Sequence, residues 1–188
     1  DLGMLLLRKS ARLSPSDDDI PSLRSKAREA LSVAVLAKNN EVKTHLVLSA
    51  LMVEMGQEEL AETRFLNCLD IELSNVGKKI TLDSVDELDG YNSDDLCPAD
   101  PLIYALMSGF FSQQGKPLKA RKALLMATRS FKEGNHLPPV QDHGKPQRTS
   151  VLVLARASLY LFELGLVGLA NSCFSVAKEC DVAATEKA

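Results

Sequence analysis

Three stretches of this chain can be laid on one another without a gap, and that recurrence constrains the fold more than any other feature. They are residues 42–71 (VKTHLVLSALMVEMGQEELAETRFLNCLDI), 101–130 (PLIYALMSGFFSQQGKPLKARKALLMATRS) and 151–180 (VLVLARASLYLFELGLVGLANSCFSVAKEC). Gly56, Gly115 and Gly165 coincide in the overlay. Ala61, Ala120 and Ala170 follow, then Phe65, Leu124 and Phe174, then Cys68, Ala127 and Ala177. Upstream, Leu48, Met107 or Ala157 precedes a serine (Ser49, Ser108, Ser158), and Met52, Phe111 and Leu161 stand just beyond.

A pair of helices satisfies this pattern. The glycine belongs just past the first helix, where a left-handed C-cap costs little only for Gly. The serine and alanine rows let two helices approach closely, and the large residues between them fill the adjoining grooves. One pair cannot bury its apolar face alone, so it needs a neighbour to stack on. A degenerate fourth unit is expected ahead of the three. Ala27, Leu31 and Ala34 lie 34 residues before Ala61, Phe65 and Cys68, with a first helix expected over 2–13 and a long Ser-, Asp- and Pro-rich turn over 14–22.

The spacing then breaks. Ala61 to Ala120 is 59 residues and Ala120 to Ala170 is 50, so 25 and 16 residues exceed a 34-residue period. Both excesses fall after second helices, in polar, turn-rich stretches. The expected organisation is a single domain over 1–188: a degenerate repeat (1–40), a repeat (41–73), an acidic insert (74–98), a repeat (99–134), a Pro-rich insert (135–149) and a repeat (150–188). The acidic insert carries Asp83, Asp86, Glu87, Asp89, Asp94 and Asp95 against Lys78 and Lys79. It reads as a solvated loop, or as an acidic contact or modifiable segment offering Ser84, Tyr91 and Ser93. The second insert, with Pro138, Pro139 and Pro146, reads as an extended linker. Its His136, Asp142 and His143 lack the spacing that fixes metal geometry, so no metal is expected.

Composition narrows the function. Apolar residues make up 45% and charged residues 25%, a globular balance, while 5% aromatics and no Trp favour close-packed helices over a sandwich. A net charge of −3 offers no general field for a nucleic-acid backbone. No apolar stretch reaches the roughly 18–20 residues of a membrane span, so no membrane insertion is expected. Cys68, Cys97, Cys173 and Cys180 show no C-x-x-C spacing and read as structural thiols of an intracellular, cytoplasmic protein. No phosphate loop, nucleophile elbow or zinc-protease pattern occurs, and Glu58–Glu59 open a second helix where they complement its dipole. No catalytic residue and no cofactor is expected.

On these residues the chain resembles the tetratricopeptide repeat (TPR) superfamily, over most of its length apart from the two inserts. The resemblance implies an all-α, right-handed superhelical array of antiparallel helix pairs, three clear and one degenerate, with first helices lining a concave face. On that face would stand Leu46, Val47 and Ala50, then Leu102 and Leu106, then Leu152, Arg156, Leu159 and Phe162, with Glu54, Gly109 and Glu163 at further concave positions. The family's cationic clamp for chaperone C-terminal tails has only Arg156 at a matching position, which argues against that ligand. The implied groove is instead apolar, and each large side chain left in water there forgoes roughly 1.5–3 kcal/mol of burial. The expected function is a non-catalytic scaffold or adaptor that holds a protein or peptide, an amphipathic helix above all, as a subunit or segment of a larger assembly. The competing expectation is a purely structural stretch of a longer solenoid. Leu166, Val167, Val176 and Val182 lean that way, since they are expected off the face that bears Ala170, Phe174 and Ala177.

Overall fold

The three coincident glycines all terminate helices, and the architecture follows from those stops. A computed structural model of the protein describes residues 2–13, 17–37, 41–74, 100–133 and 146–185. Eight helices and no strand are found among the described residues: α1 (Leu2–Ala11), α2 (Asp19–Ala37), α3 (Val42–Glu54), α4 (Glu58–Ser74), α5 (Pro101–Gln113), α6 (Pro117–Glu133), α7 (Pro146–Glu163) and α8 (Val167–Thr185). The described part of the protein is all-α.

Gly56, Gly115 and Gly165 adopt φ of 71°, 67° and 71°, a region open to Gly at little cost. Each turn repeats one pair of bonds. Gln57, Lys116 and Leu166 donate their N–H groups to the carbonyls of Met52, Phe111 and Leu161 at 2.9, 2.9 and 3.0 Å, and the glycine N–H groups bond to Val53, Ser112 and Phe162 at 3.0 Å. That pattern is a Schellman closure, which satisfies the orphan carbonyls of the first helix and reverses the chain within three residues. So short a connection makes α3/α4, α5/α6 and α7/α8 antiparallel neighbours.

The serine and alanine rows clasp two of these pairs. Ser108 Oγ donates to the Ala120 carbonyl and Ser158 Oγ to the Ala170 carbonyl, each at 2.8 Å. Ser49 bonds to the His45 carbonyl of its own helix instead, at 2.8 Å. Helix starts follow local rules as well: Pro101, Pro117 and Pro146 open helices, and the Asp100 carboxylate accepts the Leu102 N–H at 2.8 Å.

Packing between pairs buries the large residues of the overlay. Phe65 of α4 meets Phe110 of α5 with ring centroids 5.5 Å apart and tilted by 44°, and Phe110 meets Phe111 at 5.4 Å and 47°. At the rim of the same junction Lys116 approaches Glu62 at 3.3 Å and Lys119 at 3.8 Å.

Several expectations need correction. Residues 146–149, assigned to the Pro-rich linker, form the first turn of α7, because Pro146 has the fixed φ that suits a first helical position. Residues 19–22 likewise belong to α2, and α1 ends at Ala11. The acidic insert beyond Ser74 and residues 135–145 lie outside the described residues. On α8 the buried stripe is Leu169, Ala170, Cys173, Val176 and Ala177, while Phe174 is 58% exposed. Phe65 at the equivalent position is covered by Phe110 of the following pair, and no described pair follows α8. Leu166 and Val176, expected off the packed face, are buried.

The largest departure concerns how the pairs stack. In an open solenoid each unit touches only its neighbours. Here α8 packs on α5 more extensively than α7 packs on α6, and it also reaches α3. A Cβ placed on Gly109 of α5 would collide with Cys173 Sγ, so the two helices meet at a position that admits no side chain. Glu54 of α3 accepts the Leu169 N–H at 2.7 Å and so caps the start of α8 from across the fold. The α7–α8 turn rests on the first pair: Arg24 donates to the Gly165 carbonyl at 2.9 Å, and Gly165 abuts Ala11. Gly109→Ala is expected to destabilise the protein by about 1–3 kcal/mol through this contact. Thermal melting followed by circular dichroism checks it, and an unchanged midpoint would contradict the close α5–α8 approach.

Candidate interaction surface

The closure of α8 onto α5 and α3 divides the concave face implied by the resemblance. Leu46, Val47, Ala50 and Leu106 are buried in the core. They face the fold's interior because α3 and α5 are covered on nearly every side, and apolar side chains there gain burial without a ligand. Leu102 is half-buried against the same core. These five present no open groove, which corrects the expectation for α3 and α5.

The fourth pair behaves differently. Leu152 is 52% exposed, Leu159 66% and Phe162 42%, with Arg156 and Glu163 exposed beside them. Their spacing places them on one side of α7, since positions three, four and seven apart share a helix face. The opposite side of α7 carries Val153, Leu154, Ala157 and Leu161, all buried. So α7 has two apolar faces, one packed and one open. Val167, at the start of α8, is exposed as well, at 46%.

Leu36, Leu118 and Leu125 are also exposed. Leu36 stands three residues from the exposed Val33 on α2, and Leu118 and Leu125 stand seven apart on α6, so each of these helices carries two such residues among the described side chains. The α7 row is distinguished by its continuity over three helical turns.

Charge on the α7 face is balanced. Arg156 and Glu163 are both exposed on the same side, four residues beyond Leu152 and Leu159 respectively. Beneath the face lies Tyr160, whose hydroxyl has no hydrogen-bond partner. Burial pushes its pKa up to about 12, against the pull of the Arg8 guanidinium on α1.

The Cys68 and Cys173 thiols are poor nucleophiles. Burial pushes Cys68 up to about 12, only partly offset by the Ser49 hydroxyl, and burial does the same to Cys173. Reactive cysteines need the opposite environment, an exposed site with a depressed pKa. Among the described residues no group of three metal-capable side chains gathers, and His136, Asp142 and His143 lie outside them. No helix is long and apolar enough, among the described residues, to cross a membrane.

Glu54 and Leu169 carry the capping contact, with Gly168 leaving room for it, and no sequence pattern connects them across more than a hundred residues. Gly109 did offer a signal: a glycine in the middle of a helical run marks either weakness or a close approach. Comparison of the chain with protein-family models, with curated proteins and with solved structures finds no match.

Leu106 and Leu159, equivalent under the resemblance, should now part company. Leu106→Asp buries an unpaired carboxylate and is expected to cost more than about 4 kcal/mol, whereas Leu159→Asp should stay within about 0.5 kcal/mol. Urea unfolding measures both. The thiols supply a pH test. Their ordinary value is 9.0 and their folded value about 12, so the folded state holds these protons more tightly. Stability is therefore full below about pH 9 and declines from there toward pH 12, by about 1 kcal/mol per pH unit for each thiol. Denaturation midpoints on either side of pH 9 should show the decline, and Cys68→Ala/Cys173→Ala should flatten it.

Proposed function

We propose that the chain is a non-catalytic protein-binding module of the tetratricopeptide kind, a scaffold or adaptor within a larger assembly, and that the open face of α7 receives an amphipathic helix. The observation that carries this is the row Leu152, Leu159 and Phe162, exposed at helical spacing on a helix whose other side is already packed. An apolar stripe of that kind gains from burial only when a second body covers it. The repeat assignment is supported by three identical glycine closures and by two serine-to-alanine clasps at matching positions.

The occupant's chemistry follows from the flanks. A helix with Leu-type residues at three- and four-residue spacing would cover the row, with a carboxylate opposite Arg156 and a cation opposite Glu163. Chaperone C-terminal tails fit poorly. Leu152 and Leu106 stand where clamp cations would be needed, and Leu106 is 0% exposed.

A second reading has its own observation. Phe174 stands uncovered at the position where Phe65 is sealed by the next pair. A further helix pair stacking on α8 would seal it, which makes the chain a structural stretch of a longer solenoid. The two readings engage different faces. A photo-crosslinking residue placed at Leu159 in the cell of origin is expected to yield a discrete protein adduct, and one at Leu118 none. No adduct at Leu159 of any mass would sink the α7 reading; an adduct only from Phe174 would favour the solenoid.

A further inference from the structure

Resting on the α7 face proposed above, we infer that the helix it receives is α7 of a second copy of this chain, lying antiparallel about a two-fold axis near Leu159. The seam positions are Leu152, Ala155, Leu159 and Phe162, at spacings of three and four that define the contact stripe of packed antiparallel helices. Ala155 is half-buried, and the other three are among the exposed large apolar residues.

The charges make the face complementary to itself. Arg156 and Glu163 each follow a seam residue directly, Ala155 and Phe162, so both stand on the same edge of the stripe. At an α-helical pitch they lie about 20° apart around the axis and about 10 Å along it. A two-fold axis perpendicular to two antiparallel helices keeps each edge facing its own counterpart and reverses the direction along the helix. With the axis between residues 159 and 160, Arg156 of one copy comes level with Glu163 of the other, on the same edge, and the pairing occurs twice. The same operation brings Leu159 beside Leu159 of the other copy. On the other edge Phe162 comes beside the small Ala155 of the second copy, a large residue next to a small one. One register thus satisfies the apolar and the charged positions together. In a parallel arrangement the two-fold axis runs along the helices and sets each edge against the opposite one, so Arg156 and Glu163 would face the Ala155 and Phe162 edge and meet no countercharge.

A single helix–helix seam buries less than the roughly 800 Å² per partner of a standard interface, so the association is weak and concentration-dependent. Sedimentation equilibrium of the full chain tests it. The wild type is expected to shift from 20.5 kDa toward twice that mass as concentration rises to about 100 µM. Arg156→Glu alone and Glu163→Arg alone should each weaken the dimer by about tenfold or more, because each creates two like-charge contacts. Arg156→Glu/Glu163→Arg together should restore it, since the pairs are exchanged and not lost. Both side chains are exposed, and far-ultraviolet circular dichroism confirms that the variants are folded. A wild type that stays at 20.5 kDa overturns the self-pairing. So do single variants that dimerise like the wild type, or a double variant no better than the singles. A monomeric chain that still gives a heterologous adduct at Leu159 retains the α7 face and loses only the second copy.

Discussion

The fold depends on one close approach, that of α8 to α5 at Gly109 and Cys173. The thiol occupies the space a Cβ would need and points its sulfur at the Ala105 carbonyl, 3.7 Å away. Because the helices meet backbone to side chain, α8 covers the face of α5 that a stacked array of pairs would leave open. Glu54 extends the contact to α3 by accepting the Leu169 N–H, one of the free N–H groups in the first turn of α8. Those groups carry the positive end of the helix dipole, so a carboxylate there satisfies both a bond and a field. Gly168 keeps the site open to Glu54, whose Oε1 would lie 2.9 Å from an added Cβ. What remains outward-facing on the first helices is then decided: little on α3 and α5, much on α7.

Local structure was readable residue by residue. The three glycines stop three helices with the same bonds, and Ala61, Ala120, Ala170, Met52, Phe111 and Leu161 are all buried as their overlay implies. These features are set by contacts within a few turns, where period and residue size speak directly. Pro146 was misread because a proline ends an extended stretch or opens a helix equally well, and nothing local separated the two. The candidate face was half readable. Leu152, Arg156, Leu159 and Phe162 are where an exposed first-helix face puts them, while Leu46, Val47, Ala50 and Leu106 are buried in the core. Periodicity reports which side of a helix is apolar. It carries no information on which body covers that side, and Phe174 shows the same blindness in reverse.

The two faces of α7 also explain why an acidic and a basic residue recur on its outer edge with few others. Arg156 and Glu163 are the ionisable groups among the exposed residues of 152–163. A helix with an apolar stripe on each side has little perimeter left for charge, so the charges it retains bear on which bodies may approach and in what direction. Tyr160, half-buried below that edge with its hydroxyl unpaired, contributes bulk and no countercharge at neutral pH.

The bond from Leu169 to Glu54 spans 115 positions of the chain, and that distance sets an order of events. Each helix pair closes through contacts a dozen residues apart, which form quickly and at little cost in chain entropy. The seating of α8 must wait until α3 and α5 exist as surfaces. Loop-closure entropy grows only with the logarithm of length, by about 0.6 kcal/mol per doubling, so the 25 and 16 residues added between pairs tax that final step lightly. Removing the fourth pair would therefore differ from shortening a ladder by one rung. It would strip the cover from the sides of α3 and α5 that α8 packs on, Gly109 among them, and leave them as new surface.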